Sequence, residues 1–221
     1  MKQKLKKVNK KIYLIFIIAI VILVLICYVT TGKSTTVENF VYNKIAMCTT
    51  PKFTVFQKFI SRIGSASFVS FYCFLLILFK KTRKRIGVAT SISVFVSQIL
   101  NIILKNIFKR QRPSINPLVI ENGYSFPSGH AMVDAAFYII ILLIILKYVR
   151  NNKIKYGAIT FCIFMPIIVG FSRVYLGVHY LCDILVGYLI GTLIAMTTYL
   201  IIERINNNQI KLLPDGKDSK L

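Results

Sequence analysis

The 221-residue chain carries 29 Lys+Arg against 7 Asp+Glu, a formal net charge of +22, yet only 16% of its residues are charged and 56% are hydrophobic. A basic balance alone suits a nucleic-acid binder, but soluble domains run at about 25% charged residues, so this chain lacks the charge that covers a water-facing surface. With a mean hydropathy of +0.66 and with 11 Gly, 6 Pro and 5 Cys, collagen, disordered and disulfide-stapled classes are excluded and an integral membrane protein remains.

A spanning helix needs about 20 mostly apolar residues. Residues 1–11 form a basic N-terminus, and the first apolar run follows at 12–29. Its core is longer than that of a signal peptide, and no small-x-small cleavage site follows at Thr30, Thr31, Gly32 and Lys33, so it reads as a retained helix. In the next stretch Val37, Phe40, Val41 and Ile45, then Phe56, Phe59, Ile60 and Ile63, recur at helical spacing between Lys44, Lys52 and Lys58. One or two helices lying in the membrane interface fit this pattern, as does an ordinary loop. Further spans are predicted at 63–79, 86–104, 131–146, 156–171 and 181–202, with Pro166 kinking the fifth span and a tail at 203–221. The runs are apolar on all sides and do not alternate, so a β-barrel is excluded. The prediction is an all-α integral membrane protein: a single membrane domain over 1–221 with six transmembrane helices.

The cysteines are Cys27, Cys48, Cys73, Cys162 and Cys182, and none forms a C-x-x-C pair or another metal-ligand spacing. Four lie in or beside apolar runs, where a thiol acts as a small hydrophobe. Cys48, in a polar-flanked stretch, reads as a free thiol.

Most of the basic residues fall on one side when the connections are numbered alternately. That side holds Lys2, Lys4, Lys6, Lys7, Lys10 and Lys11. It also holds Lys80, Lys81, Arg83, Lys84 and Arg85, then Lys147, Arg150, Lys153 and Lys155, and lastly Arg204, Lys211, Lys217 and Lys220. The richer side faces the cytoplasm. Both termini are then inside, and the connections after spans one, three and five face out.

The outward connections hold three groups of polar residues. Lys105, Lys109 and Arg112 follow the third span at i, i+4 and i+7, so a continuing helix puts them on one face until Pro113 ends it. They suit an anion clamp, or side chains snorkelling at a helix end. Pro127, Ser128, Gly129 and His130 precede the fourth span. Ser128 can cap that helix, whose free N–H groups and positive dipole end suit a phosphate, and His130 can donate a proton. A plain capped helix start fits as well. Ser172, Arg173, His179 and Asp183 lie between the fifth and sixth spans. His179 and Asp183, at i and i+4, match the orienting pair of a nucleophilic histidine, or a simple helix-surface pair. An acid at a membrane edge favours the functional reading.

In this order the motifs resemble the signature of the type 2 phosphatidic acid phosphatase superfamily. K-x6-R-P stands as Lys105, Arg112 and Pro113; P-S-G-H as Pro127, Ser128, Gly129 and His130; S-R-x5-H-x3-D as Ser172, Arg173, His179 and Asp183. The motif region is 105–183. The resemblance implies a metal-independent lipid phosphatase without a cofactor. In it His179 attacks phosphorus, Asp183 orients it and His130 protonates the leaving oxygen. Lys105, Arg112, Ser128, Gly129 and Arg173 hold the phosphate. Relatives of this kind act on phosphatidate, phosphatidylglycerophosphate, diacylglycerol pyrophosphate or polyprenyl pyrophosphate.

Asp134, four residues after His130, reads as an acid at the wet end of its helix or as a partner of His130. Lys109 and Arg110 lie outside the signature and are candidates for meeting headgroups or a diphosphate. The short loops and a composition rich in Lys, Ile and Asn suggest a bacterial plasma membrane with the site on the extracytoplasmic face. A phosphotransferase passing phosphate from a polyprenyl pyrophosphate to a lipid acceptor is the alternative. A vanadate haloperoxidase is disfavoured by the six spans, a transporter by acids near the membrane edge, and a nucleic-acid partner by cations split across the bilayer. The sequence leaves the oligomeric state open. A cysteine introduced at Asn122 is expected to react with an impermeant maleimide on intact cells; labelling only after permeabilisation would invert the topology.

Overall fold

The computed structural model describes residues 36–114 and 117–211 together with Ile17, Ala19 and Ile20. The span expected over 12–29 lies, but for those three residues, outside the described residues, as do Cys27 and the end of the tail. All regular structure among the described residues is helical: α1 (Thr36–Met47), α2 (Pro51–Ile63), α3 (Ala66–Leu78), α4 (Val88–Phe108), α5 (Gly129–Tyr148), α6 (Asn152–Tyr175) and α7 (Leu181–Lys211). A short turn (Lys80–Thr82) and a π-helical stretch (Arg83–Gly87) join α3 to α4.

Four helices are long and apolar enough to cross a membrane: α4, α5, α6 and Leu181–Ile205 of α7. A fifth span forms if α2 and α3, bent by 48° at their junction, count as one. The two helices expected only as one alternative around 37–63 both form. Pro51 opens α2 at a position where its missing N–H costs nothing, and the Thr50 side chain caps it by accepting from the Phe53 N–H at 3.4 Å. The span expected over 63–79 is interrupted at Gly64 and Ser65, where Ser65 caps α3 by accepting from the Phe68 N–H. A side chain on Gly64 would meet Val169 and lie 2.8 Å from Asp134 Oδ2, so the bend approaches α5 and α6 only because this residue lacks a Cβ.

Helix α5 is the centre of the bundle. Ala131 through Tyr138 are all buried, with α7, α6 and α4 packed around them. The seam with α7 is made of small residues: Ala131 and Ala135 face Gly187 and Gly191. A Cβ on Gly187 would stand 2.9 Å from the Ser128 carbonyl oxygen, and one on Gly191 2.8 Å from Ala135 Cβ. Without a hydrophobic drive between helices in lipid, such close approach supplies the association. Polar links add to it, with Ser93 Oγ donating to the Ala136 carbonyl at 3.0 Å and Asn101 Nδ2 to the Pro127 carbonyl at 3.1 Å. Helix α6 continues through Pro166, whose carbonyl accepts from the Tyr188 hydroxyl. Phe95, Ile102, Phe161 and Phe164 point outward and are exposed, as a lipid-facing surface requires. Gly191→Val is expected to lower stability by about 1–3 kcal/mol through overpacking, read as a lower unfolding midpoint in detergent; an unchanged midpoint would contradict the seam.

Candidate active site

The C-terminal ends of α4 and α6 and the starts of α5 and α7 meet at one end of the bundle, joined by the last turn of α2. The Ser128 N–H donates to the Asp183 carbonyl at 3.0 Å and stitches the starts of α5 and α7 together. Ser128 itself is buried, and its hydroxyl caps α5 at the Ala131 N–H. Gly129 opens the helix, where backbone N–H groups have no intrahelical partner.

The chain turns from α6 to α7 within five residues, through Gly177 at φ +74. A side chain there would meet the Tyr42 hydroxyl, so glycine serves both the turn and the packing of α1. This turn delivers His179 to the interior, 1% exposed. Its Nδ1 lies 3.4 Å from Asp183 Oδ2, which also accepts from the Tyr180 N–H at 2.9 Å. Asp183 Oδ1 accepts from Arg110 Nη1 at 2.7 Å. Both carboxylate oxygens are therefore held, and the carboxylate favours the proton on Nδ1. His179 Nε2 faces Arg112 Nη1 at 3.4 Å. Burial, with Arg173 and Arg112 nearby, pushes the His179 pKa down to about 4 against the pull of Asp183. The imidazole is neutral at pH 7, with a lone pair toward the arginines.

Three cations surround that nitrogen's side of the pocket. Lys105, in the last turn of α4, donates to the Tyr124 carbonyl at 2.8 Å. Arg112 donates to the Gly123, Val178 and Asn122 carbonyls at 3.0, 2.9 and 3.1 Å. Burial and the charge of Arg173 pull its pKa down, opposed by Glu121 and Asp183. Arg173, buried at the end of α6, reaches the Ser61 hydroxyl and pairs with Glu121 at 2.6 Å. His130, second residue of α5, is partly exposed and rests against the Ser61 backbone, with the cations Arg173 and Lys105 and the His179 ring as neighbours. Lys105, Arg112, His130, Arg173, His179 and Asp183 thus lie together at this end of the bundle, with Ser128 tied to Asp183 through its backbone.

Four details differ from the sequence reading. Helix α4 stops at Phe108 because Lys109 takes a left-handed conformation, φ 47. Arg112 therefore returns to the pocket on a loop, not on a shared helix face, and the helix ends well before Pro113. Lys109 is exposed. Arg110 turns inward: it bridges Asp183 and Glu38 at 2.7 and 2.5 Å, with its guanidinium 4.3 Å from the Tyr180 ring centre. Burial lowers the Arg110 pKa, but Asp183 and Glu38 outweigh it and hold it above its ordinary value. Asp134 is not at a wet helix end but fully buried, and neither of its carboxylate oxygens has a hydrogen-bond partner. It packs one turn below His130 against the Gly64 bend.

Sequence reasoning missed Glu38, Ser61 and Glu121, and it named Arg110 without its pairing to Asp183. Only Arg110 had a signal: a buried acid such as Asp183 needs a partner for each oxygen, and one histidine supplies one.

The described helices thus form an apolar bundle with a buried His–Asp pair at one end, beside Lys105, Arg112 and Arg173. A family model described as the PAP2 superfamily matches residues 87–207, and the chain belongs to that superfamily. It is 39% identical over 104 residues to phosphatidylglycerophosphatase B of Bacillus subtilis, covering 44% of this chain and 48% of the relative. It is 32% identical over 127 residues to an undecaprenyl-diphosphatase of Sulfolobus acidocaldarius, covering 55% and 57%. The chain thus spans about half the length of these curated relatives. The crystal structure of a transmembrane PAP2-type phosphatidylglycerolphosphate phosphatase from Bacillus subtilis shares the fold, with TM-score 0.74 and 24% identity over 90% of this chain and 98% of that one.

Removing Arg110 leaves Asp183 Oδ1 unpaired. A double-mutant cycle of Arg110→Gln and Asp183→Asn is expected to show a coupling of about 1–3 kcal/mol in thermal unfolding; additive effects would break the pairing.

Proposed function

We propose that this chain hydrolyses a lipid phosphomonoester or pyrophosphate, such as phosphatidylglycerophosphate, phosphatidate or a polyprenyl pyrophosphate. The observation that carries the reading is His179, with Nδ1 at Asp183 and Nε2 at Arg112. His179 Nε2 attacks phosphorus as the bond to the lipid oxygen breaks, forming a phosphohistidine. His130 gives a proton to the departing oxygen. It then takes one from a water that attacks phosphorus, the P–N bond breaks and inorganic phosphate forms. Lys105, Arg112 and Arg173, with the Gly129 N–H at the Ser128-capped start of α5, hold the equatorial oxygens. Stabilised charge and alignment are the main needs of phosphoryl transfer. The residues act without a metal or cofactor in this scheme.

Two further features support a lipid substrate. An apolar cleft of about 520 Å³ between α4 and α7 is lined by Ile92, Val96, Leu100, Leu104, Ile194 and Ile201, and Leu104 adjoins the clamp residue Lys105. An acyl or prenyl chain can lie there while its phosphate reaches the clamp. The relatives' names, a phosphatidylglycerophosphatase and an undecaprenyl-diphosphatase, belong to this substrate class. The basic connections around Lys80–Thr82 and Asn151 lie at the opposite end of the bundle from the pocket. By the positive-inside bias that end is cytoplasmic, the pocket extracytoplasmic and both termini inside.

The test is phosphate release by purified protein from a panel of lipid phosphates and pyrophosphates. His179→Ala is expected to abolish release, and His130→Ala to slow it by about 10²–10⁴, while chelator leaves it intact. Full turnover by His179→Ala would end the mechanism, and a loss on chelation restored by a divalent ion would end its metal independence. Lipid phosphorylated in place of free phosphate would make it a transferase.

A further inference from the structure

All three clamp cations are already engaged by one short stretch of the chain. Lys105 bonds the Tyr124 carbonyl, Arg112 the Gly123 and Asn122 carbonyls, and Arg173 the Glu121 carboxylate. Four consecutive residues thus present acceptor oxygens to the groups that would hold phosphate. Glu121 divides its oxygens between the arginines, Oε1 at 2.6 Å from Arg173 Nη2 and Oε2 at 4.0 Å from Arg112 Nη2. Two oxygens of a phosphate would be shared between two guanidiniums in the same way.

The burial around this contact is lopsided. The Arg173 side chain is 3% exposed, whereas that of Glu121 is 35% exposed. A cation buried so deeply needs a counter-charge nearby, but the carboxylate that supplies it can swing into water. Gly123 stands two residues on at φ +75, and a Cβ there would have open space around it. That side of the backbone is open. Burial pushes the Glu121 pKa up, but Arg173 and then Arg112 outweigh this and keep it below the usual carboxylate range.

We propose that Glu121 is the internal counter-anion of the phosphate clamp: it holds Arg173 and Arg112 when the pocket is empty, yields to the substrate's phosphate, and returns to expel inorganic phosphate after hydrolysis. The proposal rests on the phosphate-clamp reading above. A phosphate dianion carries more charge and more acceptor oxygens than a carboxylate, and a lipid tail adds its own binding, so substrate displaces Glu121. Inorganic phosphate has no tail, and the returning carboxylate competes with it on better terms. Glu121 then acts on product release.

The experiment titrates inorganic phosphate into detergent-purified protein by calorimetry, comparing the unmodified chain with Glu121→Gln, Glu121→Ala and Arg173→Gln. Both Glu121 variants are expected to bind phosphate about tenfold more tightly, and Arg173→Gln more weakly. If the Glu121 variants bind as weakly as the unmodified chain, or more weakly, while Arg173→Gln loses binding, the counter-anion role falls and the clamp stands. If Arg173→Gln binds like the unmodified chain, the clamp reading itself falls. Hydrogen exchange on the unmodified protein needs no variant to fold: phosphate is expected to speed amide exchange across residues 121–124, and unchanged exchange would overturn the displacement.

Discussion

The close approach of α5 and α7 is the constraint on which the site depends. Gly187 and Gly191 leave no side chain between α7 and the backbone of α5, and Ala131 and Ala135 complete the seam. A glycine inside a helix costs about 1 kcal/mol against alanine in water; in lipid, where apolar side chains gain little by meeting, contact between backbones offsets it. Both helices start at the same end of the bundle. Their seam therefore brings His130, at the start of α5, to the side of His179 and Asp183, at the start of α7. The bond from the Ser128 N–H to the Asp183 carbonyl fixes the remaining freedom.

On that scaffold the electrostatics follow a single rule: each buried charge has a designated opposite. Asp183 is held by His179 and Arg110, Arg110 by Glu38, and Arg173 by Glu121. The network runs from α1 through the loop after α4 to α7. Such chains of buried charge contribute little net stability, since desolvation consumes most of the attraction, but losing one member is costly. Their effect here is to hold the His179 ring in one orientation and in one tautomer. Asp134 stands outside the rule, with no partner for either oxygen.

The residues that gather at this end of the bundle were legible in the sequence because their types and spacing are unusual in an apolar chain. A His and an Asp four apart at a membrane edge carry their own explanation. The same spacing failed for His130 and Asp134. Asp183 lies in a first turn, where a free backbone N–H and a loop arginine reach it, whereas Asp134 lies a turn deeper among residues without free donors. Helical periodicity also misplaced Arg112, because the left-handed Lys109 is a single backbone choice that no apolar pattern records. Glu38, Ser61 and Glu121 were illegible for a simpler reason. Their partners are 52 to 112 residues away, and only the folded chain sets them side by side. The spans were read well where one helix is long and apolar, and less well where a Gly–Ser pair splits it in two.

Glu38 on α1 and Ser61 on α2 lie ahead of residues 87–207, the stretch matched by the family model. Yet Glu38 anchors Arg110, which holds Asp183, and Ser61 touches both Arg173 and His130. The matched stretch therefore leans on two groups that lie outside it. A chain that kept the matched stretch but carried a different leading segment would have to invent new anchors for two arginines.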